Sequence, residues 1–84
     1  MAVKIRLTRM GAKSKPYYRV VAADINSPRD GKFLEILGNY DPQKNPVEIN
    51  LKEDRVRDWL SKGATATLTV SNLLKTKGIE AKVK

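Results

Sequence analysis

The chain contains no cysteine and no histidine. The first absence excludes disulfides and thiolate metal sites, and the second leaves carboxylates as the remaining candidate metal ligands. Together they remove the commonest acid–base side chain and the best thiol nucleophile. Walker A, G-x-G-x-x-G and G-x-S-x-G patterns are missing as well. The expectation is a protein that is not an enzyme and holds no cofactor, metal or small-molecule substrate. Long apolar runs are also lacking: the longest, Val20 to Ala23, is far too short to span a bilayer. The start, MAVKIRLTR, alternates charge and has no apolar stretch of the signal-peptide kind. A soluble intracellular protein with no membrane partner is expected.

Negative charge is the other shortage. Nine Asp and Glu stand against 17 Lys and Arg, a net charge of +8 at pH 7. Hydrophobic residues at 40% and charged residues at 31% fit a folded chain better than a disordered one. With 84 residues, one domain over 1–84 is expected, and its core is small. Small cores are commonly reinforced by disulfides, metals or a partner, and here the partner is the device left. The charge makes that partner anionic.

The imbalance is local. Residues 1 to 20 carry Lys4, Arg6, Arg9, Lys13, Lys15 and Arg19 with no Asp or Glu. Residues 41 to 60 are close to balanced, so their charges pair with one another, and from residue 61 the chain is basic again.

Hydrophobic periodicity organises the chain as strands first, then helices. VKIRLTR (3–9) alternates strictly, with Val3, Ile5 and Leu7 on one face and Lys4, Arg6 and Thr8 on the other. PYYRVVAAD (16–24) is β-branched and aromatic and reads as a second strand, with weak alternation that leaves the inward tyrosine undecided. FLEILGNY (33–40) is a third strand and VEIN (47–50) a short fourth, with NSPRDGK and DPQKNP as turns. The period then changes. Asn50 can serve as N-cap of a helix with Glu53 at its third position and Val56, Trp59 and Leu60 as its buried stripe. Thr67 caps a second helix with Leu68, Val70, Leu73 and Leu74 as apolar positions. The tail over 79–84 reads as a last edge strand or a frayed end. The fold class expected is α+β: a small mixed or antiparallel sheet of about four to five strands covered by two helices.

The chemistry-bearing residues are the cations. Lysine and arginine neutralise phosphates and release counterions, which drives nucleic-acid binding irrespective of sequence. Tyrosines among them can stack on unpaired bases or reach phosphate oxygens. The candidate nucleic-acid contacts are therefore Lys4, Arg6, Arg9, Lys13, Lys15, Tyr17, Arg19, Arg29, Lys32, Tyr40 and Lys44. The competing reading is a solvated basic face with core tyrosines. Helix-turn-helix, zinc-finger and RRM signatures are absent from the sequence, so structured RNA read by shape and backbone fits better than sequence-specific DNA. Two rivals remain: a general nucleic-acid-binding module, and a weak metal-dependent nuclease using Asp30 and Asp41. Both aspartates sit in Gly/Pro turns, where bonding to their own backbone is the ordinary role.

The segments VKIRLTRMGAKSKPYYRVVAAD, SPRDGKFLEILGNYDP, WLSKGA and TVSNLLKTKG, in that order and over nearly the whole chain, closely resemble the bacterial-type family of the sixteenth protein of the small ribosomal subunit. The resemblance implies a small α+β protein that binds small-subunit ribosomal RNA during assembly, beside neighbouring small-subunit proteins and without catalysis. It implies a place in the ribosome, in the cytoplasm or the plastid stroma. The basic strand, the Lys13–Lys15 loop, Tyr17 and the Arg29 to Lys32 turn fall in the motif-bearing regions.

Overall fold

The computed structural model describes residues 2–26, 33–42 and 48–83. Five strands and two helices follow in the order β1 (Val3–Ala12), β2 (Lys15–Asp24), β3 (Glu35–Asp41), β4 (Glu48–Leu51), α1 (Glu53–Ser61), β5 (Thr65–Ala66) and α2 (Leu68–Lys75). The spatial order is β4-β3-β2-β1-β5. Every neighbouring pair is antiparallel except β1 with β5, so the sheet is mixed and the α+β expectation is met. The bridge from Ala66 to Val83 carries the pairing one step further, and the Ala66 N–H donates to the Lys82 carbonyl at 2.8 Å.

β1 and β2 pair without a break from Val3–Asp24 to Ala12–Lys15. Side chains alternate along a strand, so this register assigns each one to a face. Val3, Ile5, Val20 and Ala22 join Leu37, Val56, Ala64, Ala66, Val70, Leu74 and Ile79 in one core beneath the helices. Leu7, Leu51, Trp59 and Leu60 close its rim. In α1 the expected stripe is present, with Val56 fully buried and Trp59 and Leu60 half-buried. In α2 the buried positions are Val70, Ser71 and Leu74, set by i, i+4 spacing. Leu68 was expected among them, but it opens the helix on the outer side and stays 65% exposed.

Boundaries moved for local reasons. β3 begins at Glu35 rather than residue 33, and Phe33 and Leu34 before it are exposed. Asn50 does not cap α1: it pairs with Asn39 inside β4, and the strand runs on to Leu51. The cap position falls to Lys52, which has no acceptor and makes no side-chain cap bond, although its carbonyl accepts from Arg55 and Val56. Thr67 caps α2 as expected, its side chain accepting from the Val70 N–H at 3.3 Å.

β3 and β4 approach each other unusually closely at Gly38. A Cβ there would fall on the Asn50 carbonyl oxygen, with the Leu51 Cα only 3.0 Å away. The obstruction is rigid backbone on a paired strand, so it cannot yield as a side-chain tip would. Gly38→Ala is therefore expected to lower stability by about 1–3 kcal/mol or more, as overpacking does. A urea melt checks this, and an unchanged midpoint would show that β4 can shift without cost.

Candidate nucleic-acid interface

The register distributes the basic residues over both faces of the sheet. On the face away from the helices, Lys4 lies opposite Ala23, Arg6 opposite Val21, and Thr8 opposite Arg19. Arg19 continues into Asn39 on β3 and Asn50 on β4, forming a polar row across four strands. Tyr17 belongs to this face too, opposite Met10. Val21 and Ala23 are fully buried here although they lie outside the helix-covered core. The cations therefore stand around a sealed apolar centre.

Arg9 follows the parity of Ile5 and Leu7 and so lies on the helix side, apart from Lys4 and Arg6. Its Nη2 donates to the Lys13 carbonyl at 3.1 Å, which holds the guanidinium along the hairpin end. Lys13 sits in the turn between β1 and β2, and Lys15 opens β2; both are exposed. Gly11 has φ +83, a left-handed conformation that disfavours side chains. A Cβ at Gly11 would also meet the Tyr17 ring at 2.8 Å, so this glycine gives Tyr17 its place across the hairpin. Tyr40 is on the helix side, its ring stacked with that of Tyr18 at 6.0 Å between centroids. Arg29, Lys32 and Lys44, like Asp30, lie outside the described residues.

The helical side treats charge differently. Arg55 reaches from α1 to β3 and holds Glu35 with both fork arms, Nε to Oε2 and Nη2 to Oε1, each at 2.8 Å. The Trp59 Nε1–H donates to the same Glu35 Oε1 at 3.1 Å. Asp58 accepts from Arg55 at 3.1 Å and Lys62 at 3.0 Å, and the Lys62 ammonium lies 5.3 Å from the centre of the Trp59 ring. Arg57 and Glu53 form a looser pair at 3.9 Å. Hydrogen bonds from Arg55, helped by the Trp59 donor, hold the Glu35 carboxyl down at about 2. Bonding to Lys62 likewise lowers Asp58. The acids of α1 were expected to pair within their own segment. The link from Arg55 to Glu35, 20 residues away, had no local signal.

Each of these ion pairs includes an α1 residue. Lys4, Lys13, Lys15 and Arg19 enter no ion pair among the described residues. The acids of α1 thus pair with cations of α1 and its C-terminal end, and Lys4, Lys13, Lys15 and Arg19 are left outside those pairs among the described residues. No three His, Cys, Asp or Glu side chains gather to hold a metal among the described residues. No described helix is long and apolar enough to cross a membrane.

Residues 9–67 match the family described as ribosomal protein S16. Over 81 residues, 96% of each chain, the sequence is 58% identical to the small ribosomal subunit protein bS16 of Desulforapulum autotrophicum. Over 78 residues it is 54% identical to the protein of the same name from Desulfatibacillum aliphaticivorans, covering 93% of this chain and 90% of that one.

Because the Glu35 carboxyl is held near 2 against an ordinary 4.5, its charged form stabilises the fold above pH 4.5. That contribution fades as pH falls from about 4.5 to about 2. Glu35→Gln is expected to lose stability at neutral pH and to flatten the acid limb in that window, so that the two proteins converge near pH 2. Denaturant midpoints taken across pH check this; parallel curves would remove Glu35 from the linkage.

Proposed function

The chain belongs to the ribosomal protein S16 family, structural components of the small ribosomal subunit and not enzymes, and from that premise we propose that it binds small-subunit ribosomal RNA and stabilises its folded junctions during assembly. Its partners are components of the ribosome, and neighbouring small-subunit proteins complete the proposed surroundings. One observation carries the reading: Lys4, Lys13, Lys15 and Arg19 enter no ion pair among the described residues, while α1 takes part in each of the ion pairs described above.

Ribosomal RNA helices repel one another through their phosphates. Lys4, Arg6 and Arg19 present charge to a backbone on the face away from the helices. Lys13 and Lys15 present it at the hairpin tip, with Tyr17 beside them for a ribose or phosphate oxygen. A rigid domain carrying charge on more than one surface neutralises several RNA segments at once. It shifts the RNA toward the folded junction by as much as its affinity for that state exceeds its affinity for open ones. Arg29, Lys32 and Lys44 extend the proposed contacts along the chain.

Lys13→Ala and Arg19→Ala are each expected to weaken binding to folded small-subunit ribosomal RNA. Each lost phosphate contact should reduce the slope of log affinity against log salt by about 0.7–0.9. The measurement is a salt series with excess transfer RNA and duplex DNA as competitors. Slopes unchanged in both variants would remove these residues from the interface. Binding abolished equally by either competitor would indicate a general polyanion binder instead.

A further inference from the structure

The geometry points to a second kind of nucleic-acid contact: a row of Arg9, Tyr18, Tyr40 and Ile49 that receives an unpaired nucleotide, base against the tyrosines and phosphate toward Arg9. This rests on the RNA-binding reading and deepens it. In the sheet the four residues are register partners, Arg9 with Tyr18, Tyr18 with Tyr40 and Tyr40 with Ile49. They lie on the helix side by parity, yet none belongs to the core or its packed rim. The adjacent row is Leu7, Val20, Gly38 and Leu51, and there the core ends. The helices thus cover one end of this face and leave the other to the tyrosines.

Three features distinguish the row from an ordinary cross-strand aromatic pair. Both rings remain half-buried rather than sealed. They stack on each other, with 6.0 Å between centroids and 27° between planes, and a base would add to this stack from its outer side. The cation at the end of the row is held in place by the Lys13 carbonyl, and Lys13 and Lys15 stand just beyond it on the hairpin. Half-buried aromatic rings flanked by an exposed arginine suit unstacked bases, because every base has a π face and every nucleotide carries a phosphate. A duplex offers its stacked bases no such access, so the ligand class is single-stranded or looped-out RNA. The polar row on the opposite face has cations and amides and suits backbone instead. The two faces would therefore hold an RNA junction in two different ways.

The test compares Tyr18→Leu, Tyr40→Leu and the two Tyr→Phe variants for affinity to folded small-subunit ribosomal RNA. The leucine variants should bind about 5- to 100-fold more weakly with an unchanged salt slope, and the phenylalanine variants should bind as wild type. Photocrosslinking of the wild-type protein to 4-thiouridine-substituted RNA should mark Tyr18 or Tyr40. It decides the matter directly if a leucine variant folds poorly. Leucine variants that fold and bind as wild type, or crosslinks confined to other residues, overturn the row while leaving RNA binding intact. Wild-type protein that fails to bind the RNA at all overturns the broader reading and the row with it.

Discussion

Side chains on a strand alternate between two faces, and ten unbroken pairs between β1 and β2 tie that alternation across the centre of the sheet. The same register that sends Ile5, Val20 and Ala22 under the helices sends Arg6, Arg19 and Tyr17 to the other side. A slip of one residue would exchange the two sets, placing guanidinium groups in the core and isoleucine in water. The core and the proposed interface are therefore one design, read from opposite sides of two strands. The bulge between Val20 and Val21 on the β3 side adjusts the pairing there, so that Leu37 reaches the core while Gly38 lets β4 close in.

Charge segregation builds on this frame. The Arg55–Glu35 fork joins α1 to β3, and Trp59 adds a third bond to the same carboxylate. Both partners are partly exposed, so the pair adds little to stability by its Coulomb energy alone. Its larger effect is directional. It fixes the angle of α1 on the sheet and gathers acid where RNA is not expected. Six cations, Lys4, Arg6, Arg9, Lys13, Lys15 and Arg19, fall within residues 1 to 20, a stretch that contains no carboxylate.

Much of this was legible in the sequence, and the failures have physical causes. The alternation of 3–9 named both faces of β1, and Thr67 announced its helix because a hydroxyl before an apolar stripe has one obvious use. The weak alternation of residues 16–24 is explained by Val21 and Ala23, which are buried on the face away from the helices just as Val20 and Ala22 are beneath them. A strand covered on both faces has no polar period to read. Asn50 looked like a cap because propensity is local, whereas its pairing with Asn39 is not. The odd position of Arg9 in the alternation of β1 already separated it from Lys4 and Arg6. The partnership of Glu35 with Arg55 depends on how the sheet and helix meet, and no window of sequence contains it. The Tyr18–Tyr40 stack likewise needed the β2–β3 register before either ring could be assigned a side.

At one edge of the sheet β5 lies parallel to β1, and the tail bridges Ala66 through Val83. Synthesis delivers the chain from the N-terminus at about 5–20 residues per second. The hairpin thus exists for a time on the order of seconds before Val70, Leu74 and Ile79 arrive to cover its apolar face. During that interval the residues of β1 and β2 carry their cations without the α2 and tail residues that cover their apolar face. The core that gathers Val3 and Ile5 with Val70 and Leu74 is complete only once Ile79 has been added. Within this sequence the cations of β1 and β2 therefore precede the residues of α2 and the tail that complete the core.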